Sequence, residues 1–210
     1  MATFTETELK DRARRRADMV NSTFVTDTEI RDYLNSSISE LHDMMVKSYE
    51  DYFVSEQTYT IPLATGGASL PADFYKALGV DYESGGITST LRAYSFTERN
   101  VYNTPYAVID RLAQPMYKIE GTKIKLIPEN SASGTITLFY VPEATQFDGS
   151  GVTQITNVIP GYEEYIVAAT AIRMLLKEES DTSALELEKQ QLGRRIIRAI
   201  SPRDASGSHA

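Results

Sequence analysis

Covalent or proton-transfer chemistry has little to work with in this 210-residue chain. It holds two histidines, His42 and His209, no cysteine, and no motif beside either histidine that would make it the base of a nucleophilic site. Carboxylates are the remaining resource, because two acids at the right separation suffice to hydrolyse a glycosidic bond. The adjacent pairs are Glu163-Glu164 and Glu178-Glu179. Neighbours on a helix point about 100° apart, so neither pair faces a common substrate. Glu163 and Glu164 read instead as first-turn residues, where the backbone dipole favours negative charge. "GGASL" lacks the lysine of a phosphate loop, and no dinucleotide fingerprint occurs. No catalytic residue, cofactor or metal is expected, and His42 reads as a partly buried structural histidine. Tyr82, Tyr117 and Tyr140 offer stacking platforms in principle, yet their alternation is explained by strand packing.

The segment "KDRARRRADM", residues 10–19, places five basic side chains in ten positions of a chain whose net charge is −8. Counted around a helix, Arg12, Arg14, Arg15 and Arg16 spread over more than half the circumference. Glu8 to Arg12 and Asp11 to Arg15 have the favourable i to i+4 order, each worth about 0.2–0.5 kcal/mol when exposed. Three roles stay open for the arginines: a solvated, internally paired face, an anchor for a protein partner, or a hand for nucleic acid. With 29 acidic against 21 basic residues, the whole chain is repelled by a polyphosphate unless its basic residues gather on one surface.

The elements that would position these residues follow from periodicity. A first helix starts at Thr5, capped with Glu8, and runs to about Val20 with Leu9, Ala13, Ala17 and Val20 on its apolar stripe. A second, about 27–48, opens with a capping box of Thr26 and Glu29 and a staple of Val25 and Ile30. Its stripe is Ile30, Leu34, Ile38, Leu41 and Met45, widened by Tyr33 and Met44. The pattern then changes to alternation: "QTYTIPL", Leu78-Val80-Tyr82, and Ile136-Leu138-Tyr140. A turn at Gly121-Thr122 would oppose Glu120 to Lys123, Ile119 to Ile124 and Tyr117 to Leu126. Gly66-Gly67, Gly85-Gly86 and Gly149 to Gly151 read as loops, and "SFTERNVY" as a short helical turn.

Helical pattern returns at "PGYEEYIVAATAIRMLLKEESD", apolar at nearly every angle, as a helix contacted on several sides should be. Its run Ile166 to Leu176 is well short of the roughly 18–20 residues of a membrane span. The N-terminus is not that of a signal peptide, so a soluble, non-secreted chain is expected. Ser180 and Asp181 break and cap before a last helix on Leu185, Leu192, Ile196 and Ile200, which Gly193 weakens by about 1 kcal/mol relative to alanine. The expected fold class is α+β: N-terminal helices in 1–55, an inserted antiparallel β domain in 56–147, C-terminal helices in 148–200, and a flexible tail in 201–210.

Read in order, "RARRRADMVNSTFVTDTEIRDYLNSSISELHDMM", "LPADFYKALGVD", "YKIEGTKIKLIP", "LFYVPEA" and "GYEEYIVAATAIRMLLKEESD" resemble the head-to-tail adaptor (connector) proteins of tailed bacteriophages. That group is similar to the tail accessory factors and tail tubular proteins of short-tailed phages. The resemblance runs from the first helix to about Ser180. It implies a structural virion protein of the neck, assembled in the host cytoplasm as a ring of about twelve copies on the portal protein after DNA packaging. Such a ring extends the DNA channel and carries the tail nozzle or tail tube proteins, with no sequence-specific DNA binding and no membrane. Twelve chains at −8 each carry on the order of −96, and an acidic lumen lets DNA slide. The subunit or portal interface is then expected to draw on Arg12, Arg14, Arg15, Arg16, Arg198 and Arg203. The alternatives are a duplex DNA-binding module and a carboxylate-dependent peptidoglycan hydrolase.

Overall fold

The computed structural model describes residues 4–62, 67–98, 115–128, 133–150, 154–155 and 162–200. Arg203, His209 and the expected tail 201–210 lie outside the described residues, as do Gly66, Gly151 and residues 99–102 of "SFTERNVY". In chain order the elements are β1 (Phe4–Thr5), α1 (Glu6–Arg16), α2 (Asp27–Ser48), β2 (Ser55–Ile61), β3 (Ala68–Ser69), β4 (Phe74–Ser84), β5 (Ile87–Thr90), β6 (Met116–Glu120), β7 (Lys123–Ile127), β8 (Gly134–Pro142), β9 (Gln154–Ile155), α3 (Glu163–Lys177) and α4 (Ser183–Ile200). The fold is α+β, as expected. It divides into two compact units, Met1–Tyr52 with Ala144–Ala210, and Phe53–Glu143.

In the helical unit both expected capping boxes form. Thr5 and Glu8 exchange bonds of 3.0 and 3.3 Å, and Thr26 and Glu29 bonds of 2.9 and 3.3 Å, which satisfies main-chain N–H groups at each helix start. Val25 and Ile30 are both fully buried beside the second box. The α1 stripe departs from expectation at its end. The helix stops at Arg16, Asp18 turns to φ 56°, and Val20 is 57% exposed while Met19 is buried in its place. The cause is the turn that follows, where Met19 N–H returns to the Arg14 carbonyl at 2.8 Å and rotates Val20 outward.

Helix α3 is enclosed as its sequence requires, with nine residues buried, from Tyr165 to Met174. Lys177 at its C-terminal end bonds Glu29 near the start of α2, and Tyr165 near its N-terminal end bonds Glu40, so the two helices run antiparallel. His42 is buried rather than partly buried.

Among the described residues, the β unit contains two antiparallel sheets, β2-β8-β4-β5 and β3-β7-β6, which share one core of Val80, Ile124, Leu126, Ile136 and Leu138 with their neighbours. The β6–β7 hairpin takes the expected register, with Glu120 opposite Lys123, Ile119 opposite Ile124 and Tyr117 opposite Leu126. Gly85-Gly86 is tighter than the loop expected. Both glycines adopt positive φ, 60° and 79°, and turn the chain in two residues from Ser84 to Ile87. That twist suits a β-hairpin and is costly for residues with a Cβ. Expectation also fails at Leu78. An irregularity between Ala77 and Gly79 leaves Leu78 without a partner on β8, and Ala77 packs against the core with Val80 and Tyr82. The described half of "SFTERNVY" forms a 3-10 turn, Phe96–Glu98.

Gly193 supplies a stability prediction. A Cβ there would meet Met44 Sδ at 3.5 Å and Tyr165 Cε2 at 3.6 Å, ordinary van der Waals contacts. Gly193→Ala is therefore expected to stabilise the protein by about 0.5–1 kcal/mol through helix propensity, read as a higher midpoint in urea unfolding.

Candidate functional site

The arginines of α1 are largely engaged within the protein. Arg14 is the most committed: its guanidinium donates to the carbonyls of Met19 at 3.4 Å, Ser22 at 2.8 Å and Val25 at 3.0 Å, and to Asp27 at 2.8 Å. It thereby shapes the whole connection between α1 and α2. Arg12 reaches Glu164, lies 4.0 Å from Glu163 and sits over the Phe4 ring at 5.9 Å. Arg16 pairs with Glu188 on α4. Neither expected i to i+4 pair forms an ion pair among the described residues. Arg12 finds its acids on α3, and Arg15 Nε donates to the Asp11 carbonyl at 3.2 Å rather than to its carboxylate. Arg15 and Arg198 are exposed.

Glu163 and Glu164 occupy the first turn of α3 and face Arg12, a structural use of the pair. No cluster of histidine and carboxylate side chains suited to a metal ion occurs among the described residues, and no described helix is long and apolar enough to cross a membrane. Tyr140 lies in the β core, donating to Asp73 at 3.1 Å, and Tyr82 and Tyr117 pack against that core.

A residue with no motif around it organises the helical unit. The Glu40 carboxylate on α2 accepts from the Tyr165 hydroxyl at 2.8 Å and from Arg173 at 3.0 Å, both on α3, and from Lys189 on α4 at 2.6 Å. Burial pushes its pKa upward, but the bonds from Lys189, Tyr165 and Arg173 overcome this and hold it below the ordinary value. Tyr165 is pushed up, by burial first and then by the Glu40 carboxylate. Behind Glu40, Arg173 also donates to Ser37 Oγ at 2.8 Å, and Ser37 Oγ lies 3.1 Å from Thr170 Oγ1 at a fully buried contact of α2 with α3.

In front of Glu40 a groove of about 530 Å³ opens between α2, α3 and α4. Met44, Tyr165, Ile172 and Gly193 give it an apolar lining, and Lys189 and Arg194 are among its charged residues. Arg194, which lines the groove, was not among the residues singled out from the sequence. The signal was present in "RRIIR", residues 194–198, a basic run mixed with isoleucine in an acidic chain. Glu40 carried no comparable signal, because its partners are on other helices.

Two outcomes test this arrangement. Arg14→Ala strips charged donors from several carbonyls and should cost about 2 kcal/mol, whereas Arg15→Ala should stay within about 0.5 kcal/mol, measured by urea unfolding. Glu29 is held down from 4.5 to about 2 by its hydrogen bond from Lys177 and then by those from Thr26. A depressed carboxylate pKa contributes stability that is present above 4.5 and lost as pH falls toward about 2. Unfolding midpoints should therefore fall across that acid range, and Glu29→Gln should show a shallower fall from a lower starting point.

No curated protein matches the chain. The family model described as SU10 adaptor protein matches residues 4–210, a span that includes both units. With a helical unit drawn from both ends of the sequence and a β unit from its middle, this chain belongs to the SU10 adaptor protein family, structural proteins of the phage head-to-tail junction.

Proposed function

We propose that the chain forms a ring of about twelve copies that attaches to the portal protein after DNA packaging, extends the DNA channel and provides the platform for tail nozzle or tail tube proteins. The observation that carries this is family membership over residues 4–210. Assembly in the host cytoplasm precedes incorporation into the virion neck. The role is structural, without turnover.

The charge distribution supports a channel that does not grip its cargo. The chain carries −8, and Arg12, Arg14 and Arg16 bind carboxylates of their own protein, so little of the basic segment is left for phosphates. Sequence-independent DNA affinity grows with the number of phosphates neutralised, and an acidic ring keeps that number low. Arg15 and Arg198, with Arg203, serve contacts to neighbouring subunits or the portal, where arginine suits carboxylate pairing. Arg12 and Arg14 act one step back, by holding α1 in place.

Native mass spectrometry of the purified protein, alone and with the portal protein of the same phage, tests this. The expected result is a closed multi-copy ring in at least one of the two samples. A monomer that ignores the portal would overturn the proposal, and duplex DNA binding that falls steeply with salt would favour a DNA-binding module instead.

A further inference from the structure

We propose that Asp148 and Gly149 form a site of spontaneous main-chain isomerisation: the Gly149 nitrogen closes on the Asp148 carboxyl, and water reopens the resulting imide to an isoaspartyl linkage. The proposal is independent of the ring and rests on the segment that lies along α2.

Residues 146–149 are strapped to one stripe of α2. Arg31, Asn35 and Ser39 are spaced by four, so they share a face of that helix. Ser39 Oγ accepts from Gln146 Nε2 at 3.3 Å. Asn35 holds the Phe147 main chain at both of its polar groups, donating to the carbonyl at 2.9 Å and accepting from the N–H at 2.8 Å, and Phe147 itself is buried. Arg31 then lies where a side chain of residue 149 would be: a Cβ there would come within 1.7 Å of Arg31 Nη1. Gly149 also has φ 84°, so the strap can keep this course only with glycine at 149.

That glycine follows an aspartate, and no other Asp-Gly step occurs in the sequence. Residues 148–150 are exposed, and the Gly149 N–H has no partner among the described residues. Asp148 Oδ1 accepts from the Ser150 N–H at 2.9 Å and from Ser150 Oγ at 2.7 Å. A carboxyl that reaches the second N–H ahead is folded back over the peptide between them, which brings its carbon toward the Gly149 nitrogen. Holding the reacting groups together removes much of the entropy cost of closing the imide ring. With no side chain on Gly149, nothing on that residue hinders the approach.

The step balances with water alone. When the carboxyl is in its neutral form, the Gly149 nitrogen bonds to Asp148 Cγ, the carboxyl C–O bond breaks, and that oxygen leaves as water with the nitrogen's proton. Water adding back at the Cγ carbonyl restores aspartate. Water adding at the former main-chain carbonyl leaves the chain running through the side chain, one methylene longer, with the carboxylate on the α-carbon. The product lengthens the strap between Phe147 and Gly149 and removes the carboxylate that held Ser150, so Gly149 loses its register beneath Arg31.

Asp181 is a control within the same chain. Its carboxylate accepts from the Ser183 N–H and from Ser183 Oγ, each at 3.0 Å, in the same folded-back arrangement, but the residue between is Thr182, β-branched and buried. The full chain, incubated in heavy-oxygen water at physiological temperature and digested in ordinary water, should take up label at Asp148 about tenfold or more faster than at Asp181, and the isoaspartate should resist a protease that cuts before aspartate. Asp148→Glu, which needs a larger ring, should take up no more label than Asp181. Asp148→Asn should give the same isoaspartate faster, with loss of ammonia, and circular dichroism of both variants should match the parent before incubation. In the isomerised fraction the Phe147 amide should exchange hydrogen about tenfold or more faster than in fresh protein. Label at Asp148 no faster than at Asp181, or an Asp148→Asn chain that stays intact, would overturn the site. Label without faster exchange at Phe147 would uphold the site and remove its effect on the strap.

Discussion

The buried meeting of Ser37 on α2 with Thr170 on α3, and the charged groups that continue it outward through Arg173 to Glu40, set the geometry of the helical unit. Apolar packing alone tolerates sliding, because one leucine fits much like another. Buried polar groups do not, since a hydroxyl or carboxylate that loses its partner inside a protein costs about 1–3 kcal/mol. Moving α2 by one turn against α3 would break the Ser37, Arg173 and Tyr165 bonds together, and the Lys177 to Glu29 pair with them. The same carboxylate then recruits Lys189, which places α4 beside the other two helices and so creates the groove.

Charge is used economically here. An acidic chain that concentrates arginines in its first helix invites a reading in which they reach outward, yet Arg14 closes the connection behind its own helix, Arg12 binds α3, which packs against α1, and Arg16 reaches across to Glu188 on α4. Among the described residues, the exposed guanidinium groups without a side-chain partner are instead mostly on α4. Of these, Arg198 lies in the last turn of α4, where the helix dipole favours a cation. What a neighbouring molecule meets on this unit is therefore set by which arginines the fold has already consumed.

The β unit was largely readable because its information is local. In "YKIEGTKIKLIP" the two-residue turn fixes the register, and each side chain's opposite follows by counting. The same logic failed within β4, where an irregularity shifted the face of the strand and put Ala77 rather than Leu78 toward the core. Alternation in the sequence cannot reveal an inserted residue, since the insertion is stabilised by the partner strand and not by the strand that carries it.

The sequence by itself determined the helix starts at Thr5 and Thr26, the stripe from Ile30 to Met45, and the enclosure of α3 on several sides. Each of these depends on residues within a turn or two of one another. Tertiary structure alone decided that α1 ends at Arg16, that Glu163 and Glu164 answer Arg12, that Glu40 gathers three donors, and that Gly193 lines a groove with Met44 and Tyr165. The partners in those cases come from helices far apart in the chain, and a charged side chain chooses among distant carboxylates by the geometry of packing, which no spacing along the sequence encodes.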